Sequence, residues 1–179
     1  YEVLVRCKTA LEGDTPLRNL EFDKDEDKAI RGFQFLSQKP MLLVLNLGEE
    51  DAARLHEVEE KWRNGPFAVK AQTDVTAFCG KIEAELAELP PADAAEYLTS
   101  YGLKESGLQR IIAATYRLLG LMSFLTAGET EVRAWTIPMN STAQKAAGAI
   151  HSDFEKKFIR AEVVNWKQLV EFGGYPGLR

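Results

Sequence analysis

Five consecutive apolar residues, Met41-Leu42-Leu43-Val44-Leu45, stand between Pro40 and Asn46. That uninterrupted run is the pattern of a strand buried on both faces of a parallel sheet. A polar loop, Asn46-Leu47-Gly48-Glu49, follows it, and residues 50–63 read as an amphipathic helix with Ala53, Leu55, Val58 and Trp62 on or near its inner face. Gly65-Pro66 stops that helix, and residues 67–71 read as a second strand. Strand, helix and strand joined by short loops make the crossover unit of an α/β fold. A weaker strand signal at 75–78 leads through Cys79-Gly80-Lys81 into a helix over 82–89, closed by Pro90-Pro91.

Around this unit the local signals are mostly helical. Residues 1–12 predict a helix stopped by Gly13, with Asp14-Thr15-Pro16 as a turn. Asp23 caps a second helix, with Glu26 placed as in a capping box; it is expected to run to about Leu36, partly burying Ile30, Phe33 and Phe35, with Pro40 as its end. Residues 93–101 and 106–119 give two more helices, Ser106 lying in an N-terminal cap region with Arg110 nearby. Beyond Leu119-Gly120 the texture changes. Two β-rich runs, 121–126 and 132–137, flank a hairpin turn at Ala127-Gly128-Glu129; a helix over 142–154, a strand over 159–164 and a short helix over 165–172 follow. The β-β-α-β order describes a small α+β module, and a domain boundary is expected near Leu119-Gly120.

Composition narrows the class of protein. The 179 residues suffice for one good core or two small ones, and no apolar run approaches the roughly 18 residues of a membrane span. Residues 1–6 lack the basic start and small-residue cleavage site of a signal peptide. Cys7 and Cys79 have no metal-ligand spacing to His56 or His151, so the expected compartment is reducing and cytoplasmic. The chain opens on Tyr1 rather than Met, from which we expect a piece of a longer protein. Net charge is −5, but residues 131–179 carry +2 and residues 1–130 carry −7. A generally basic nucleic-acid binder is excluded, and a mildly basic C-terminal face suited to RNA phosphates remains.

The order of several stretches resembles a known family. These are Phe33-Gln34-Phe35-Leu36-Ser37-Gln38-Lys39-Pro40, Asn46-Leu47-Gly48-Glu49, the run from Lys81 to Leu89, Glu105-Ser106-Gly107-Leu108, Phe124-Leu125-Thr126-Ala127-Gly128-Glu129, Val132-Arg133-Ala134-Trp135-Thr136-Ile137, the run from Ala146 to Phe154, and Phe158-Ile159-Arg160-Ala161-Glu162-Val163. Together they resemble the YchF subfamily of Obg-like P-loop ATPases. The resemblance implies an α/β nucleotide-binding domain interrupted by a helical coiled-coil insertion and followed by a β-grasp-like TGS domain. Residues 1–36 would be the end of the insertion with its returning helix, 37–100 the C-terminal part of the nucleotide domain, 101–120 a connecting helix and 121–179 an incomplete TGS domain. The phosphate loop GxxxxGK[ST] and the Mg²⁺-binding elements would precede Tyr1; no such motif occurs in this sequence.

The same resemblance assigns roles to residues. Asn46-Leu47-Gly48-Glu49 would be the family's NxxE variant of the NKxD base-reading loop, in which an acidic side chain accepts two guanine hydrogen bonds. Asn46 would bond the base edge, Leu47 would pack on adenine or offer it backbone, Gly48 would permit the tight loop, and Glu49, one methylene longer than Asp, would shift preference from GTP to ATP. Cys79 and Gly80 would take the place of the second base-side loop, contacting the base through backbone N–H. On the residues alone, Asn46 merely ends a strand, Glu49 caps the next helix, Cys79 is a small buried residue and Lys81 is solvated. His151 beside Asp153 is not read as a general base, since no nucleophile accompanies it. Arg133, Lys156, Lys157 and Arg160, interleaved with Trp135 and Phe158, would contact ribosomal or other RNA, or else form a solvated face over an ordinary core. The implied parent is a cytoplasmic, ribosome-associated ATPase acting in translation or stress response, without membrane or sequence-specific DNA partners; this chain alone would be inactive. The alternative is a non-catalytic RNA- or ribosome-binding module.

Overall fold

The computed structural model describes residues 1–65, 72–128 and 130–178. They divide into two compact units, Tyr1–Leu119 and Gly120–Arg179. In the first unit, α1 (Glu2–Glu12) ends at Gly13 and α2 (Lys24–Ile30) begins at Asp23. The Asp23 side chain accepts the Asp25 and Glu26 N–H groups while Glu26 reaches back to the Asp23 N–H, a complete capping box. Cys7, Leu17 and Ile30 form a small core between these helices, with Leu4, Phe22 and Phe35 packed around it. Arg6 pins the outside, bonded to Glu26 at 2.8 Å and lying over the Phe22 ring. The expected continuation of α2 to Leu36 does not occur. A 3-10 turn at Arg31–Phe33 contains Gly32 and is followed by Gln34 at φ 50°, which breaks the helical ladder. Phe33 is consequently exposed and stacks on Phe35 instead of entering the core.

The parallel pair follows. Strand β1 (Met41–Asn46) runs alongside β2 (Thr73–Phe78), in register from Met41 opposite Thr73 to Asn46 opposite Phe78. Between them lie a 3-10 turn, Glu49–Arg54, and α3 (Leu55–Arg63); after them come α4 (Gly80–Glu88), α5 (Pro91–Ser100) and α6 (Gly107–Leu118). The expected strand at 67–71 falls outside the described residues. Burial reverses the sequence expectation for the two strands. Val44 of the apolar run is 42% exposed, so β1 is not covered on both faces, whereas Val75 and Ala77 of the weaker run are fully buried. Helices α3 and α6 pack against β2, and its polar residues Thr73, Asp74 and Thr76 are buried with it, which is why its apolar pattern looked weak. The inner face of the preceding helix is Ala52, Leu55 and Glu59; Ala53 and Trp62 turn outward. The initial 3-10 turn accounts for this phase, since its side chains repeat every three residues rather than every 3.6.

In the second unit, β3 (Leu121–Ala127) and β4 (Val132–Pro138) form an antiparallel hairpin with Leu121 opposite Pro138. The single helix expected over 142–154 is two: α7 (Ala143–Ile150), capped by Thr142, and α8 (Ser152–Lys156). His151 separates them in extended conformation and accepts the Asp153 N–H at its Nδ1, a capping role. The strand expected over 159–164 is absent: residues 158–165 carry no regular structure, and Ile159 is 90% exposed. A strand exists only when its N–H and C=O groups find a paired edge, and the described sheet consists of β3 and β4 alone. Asn165 then caps α9 (Trp166–Glu171). Among the described helices none is long and apolar enough to cross a membrane.

Candidate functional site

Because β1 and β2 are parallel and end level, Asn46 and Phe78 deliver two loops to the same edge of the sheet. The ladder extends one step further, the Leu47 N–H donating to the Phe78 carbonyl at 2.9 Å. The Asn46 side chain then crosses between the loops, its Oδ1 accepting the Gly80 N–H at 2.9 Å. Gly80 opens α4, so this bond satisfies one of the N–H groups that a helix start leaves without a partner. A Cβ at position 80 would lie 3.1 Å from Asn46 Oδ1, so the close approach favours glycine there. Gly48 does not need a left-handed backbone: its φ of −73° is open to any residue, and the atoms nearest to a Cβ there belong to the flexible Glu50 carboxylate. Cys79 is buried and packed with Ala52, Ile82 and Leu98.

Glu49 begins the 3-10 turn and is half-buried. Its Oε2 pairs with Lys81 Nζ at 2.6 Å, and the Tyr101 hydroxyl donates toward its Oε1 at 3.4 Å. The hydrogen bond and charge of Glu49 raise the Lys81 pKa, so the ammonium is held charged. Tyr101 follows α5, tilted against Tyr97 with ring centroids 5.3 Å apart; the Tyr97 hydroxyl in turn bonds Glu85, an interaction that raises the phenol's pKa. Lys81 is largely solvated, as expected from sequence, and is also an ion-pair partner across the loop edge. In open parallel sheets, ligands bind in the crevice outside the carboxyl ends of the strands, which is where Asn46, Leu47, Glu49, Gly80 and Lys81 stand.

A second polar cluster was not anticipated. Glu59 of α3 reaches β2, where its Oε1 accepts the Ala77 N–H at 2.7 Å, the Thr76 hydroxyl at 3.0 Å and Arg110 at 2.5 Å. Arg110 also donates to the Ala77 carbonyl. At the other end of the strand, Asp74 accepts from Arg63 and Arg117 and from the Val75 N–H. Burial pushes both carboxyls upward, but the N–H groups and guanidiniums outweigh it and leave both pKa values lowered. Beside this cluster, Glu83 of α4 accepts the Gly107 N–H at 2.6 Å, holding the start of α6 against the end of β2. The signal available in the sequence was Thr73-Asp74-Val75-Thr76, a polar-rich strand whose partners lie on helices far along the chain.

The four basic residues expected to contact RNA occupy three stretches of the second unit. Arg133 on β4 stacks over the Trp135 ring at 4.2 Å, and Trp135 Nε1 donates to Thr126. Lys156 is the last residue of α8, Lys157 follows it, and Arg160 lies in the irregular segment; all four are exposed.

Known proteins match the chain end to end. The family YchF-GTPase_C, described as a protein of unknown function (DUF933), matches residues 121–179. A protein of Bacillus subtilis named ribosome-binding ATPase YchF is 40% identical over 179 residues, covering 100% of this chain and 49% of its own length. Its namesake from Escherichia coli O157:H7 is 40% identical over 99% of this chain and 48% of its own. Obg-like ATPase 1 of Caenorhabditis elegans is 38% identical over 97% of this chain and 44% of its own. The solved structure of the Schizosaccharomyces pombe YchF GTPase superposes with a TM-score of 0.73 at 26% identity, over 99% of this chain and 47% of that one. The fold, a mixed α/β arrangement with small sheets, and these relatives define the class as that of the Obg-like ATPases. Within it, the chain belongs to the YchF family. It spans about half the length of the curated relatives it matches.

Proposed function

We propose that this chain is part of an ATP-hydrolysing, ribosome-associated YchF protein and that the loops after β1 and β2 form the base-side wall of its nucleotide site. In this reading residues 1–36 end a helical insertion, 37–100 complete the nucleotide domain, 101–120 connect, and 121–179 belong to a TGS domain. The observation that carries it is the Asn46–Gly80 bond, which ties the two loops together at the carboxyl end of a parallel pair. With Oδ1 held by Gly80, Asn46 offers its amide Nδ2 as a donor to an acceptor on the base edge, and half-buried Leu47 offers apolar contact. Adenine suits that edge, having ring-nitrogen acceptors and flat apolar faces. Mg²⁺ and phosphate binding are assigned to parts of the parent outside this chain, and the chemistry of water attack with them. Arg133, Lys156, Lys157 and Arg160 are proposed contacts to ribosomal RNA phosphates.

The test is competition binding of Mg-ATP to the full-length protein carrying Asn46→Ala, with thermal unfolding measured alongside. ATP affinity is expected to fall by about 1–3 kcal/mol, the scale of a lost hydrogen bond that leaves its partner unsatisfied. Unchanged affinity in a folded variant would place base reading elsewhere.

A further inference from the structure

The side-chain acceptors at the end of β1 are already engaged by the protein. Asn46 Oδ1 takes the Gly80 N–H, Glu49 Oε2 takes Lys81, and Glu49 Oε1 faces the Tyr101 hydroxyl. The arrangement is held from two sides. Lys81 is the second residue of α4, whose first N–H is tied to Asn46, so the contact that fixes the helix start also sets the lysine over the loop. Tyr101 is fixed from α5 by its packing against the cluster of Ala52, Cys79, Ile82 and Leu98.

Purines differ in what they require of such a loop. Guanine carries two adjacent donors on its pairing edge, a ring N–H and an exocyclic amino group, which a free carboxylate accepts side by side. Adenine has one exocyclic donor beside a ring acceptor and no such pair. A site that leaves a ligand's donors unpaired discriminates strongly against it, because those donors lose water and gain nothing.

Building on the base-site reading above, we propose that Lys81, assisted by Tyr101, is the positioning residue that sets base preference. It closes the Glu49 carboxylate as an acceptor and so withholds the partner that guanine needs. Discrimination then resides in an ion pair within the protein rather than in the length of the Glu49 side chain. Lysine is protonated at neutral pH and the Glu49 contact raises its pKa further, so the ion pair persists there.

Competition binding of Mg-ATP against Mg-GTP to the full-length protein tests this. In Lys81→Met, and further in Lys81→Met with Tyr101→Phe, the ratio of GTP to ATP affinity is expected to rise about tenfold, as a charge-assisted acceptor becomes available. Lys81→Arg, which restores the cation, is expected to keep the original ratio. Lys81 is largely solvent-exposed, so its loss does not threaten folding, and a merely structural role would leave the ratio unmoved. An unchanged ratio in the double variant overturns the proposal. Asn46→Ala in the same assay separates the two levels: if it weakens binding while the ratio stays fixed in the lysine variants, the base site stands and the role of Lys81 falls. If neither change alters any affinity, both fall.

Discussion

Single atoms decide much at the junction of β2, α4 and α6. A Cβ on Gly107 would come within 2.7 Å of Phe78 Cβ and 3.0 Å of Glu83 Oε1, the first closer than Cβ atoms approach their neighbours, so the start of α6 or the end of β2 must shift. Gly107→Ala is therefore expected to destabilise the protein by about 1–3 kcal/mol, the range for an overpacked site, measured as a fall in the urea midpoint at unchanged slope. A midpoint within error of the parent would show that α6 can shift without cost. Residue-scale chemistry was legible at Asp23 with Glu26, a box spelled within four positions, and at Ser106 as a cap, though its partner Gln109 was not read; the local cap at His151 was missed. The Asn46–Gly80 bond spans 34 positions, and no local pattern announces which atom of Asn46 it uses. The roles assigned to Asn46, Leu47, Glu49, Cys79 and Gly80 in reading a base rest on the nucleotide assays above.

At the scale of elements, β2 is held to its helices by charge as much as by apolar contact. Removing one partner of a buried ion pair strands the other, so Arg110→Ala is expected to cost about 3–5 kcal/mol at pH 7. The pH dependence has a definite sign. Glu59 and Asp74 titrate below their ordinary values of 4.5 and 3.8, so their contribution is complete above that range and is lost as pH falls through the lowered values. Urea unfolding is accordingly expected to be nearly flat from neutrality to about pH 5 and to weaken below it, with the deficit of Arg110→Ala shrinking as Glu59 protonates. An equal deficit at pH 7 and at low pH would mean that Arg110 contributes packing alone. The same network explains where element-level reading failed. Hydrophobic patterning finds strands through apolar residues, and β2 hides Asp74 and Thr76 behind partners supplied by α3 and α6, while the apolar β1 is left with Val44 exposed.

For the molecule as a whole, the candidate site as proposed supplies only a base-side wall. Nucleotide affinity in P-loop folds comes chiefly from phosphate-cradling backbone and the metal, and the 179 residues contain no GxxxxGK[ST] loop. The isolated chain is therefore expected to bind Mg-ATP more weakly than micromolar and to show no turnover; calorimetric titration with a phosphate-release assay checks both. Micromolar binding, or turnover that survives repurification, would require a phosphate site within this chain. The second unit has an exposure of its own. Residues 158–164 make no backbone hydrogen bond among those described, and Lys156, Lys157 and Arg160 stand at or beside them. A protease cleft accepts a polypeptide only where its amides are free of internal partners. The stretch that failed to become a strand is thus also a part of this unit open to being cut, and Lys156, Lys157 and Arg160, proposed to meet RNA, are residues a trypsin-like enzyme would select.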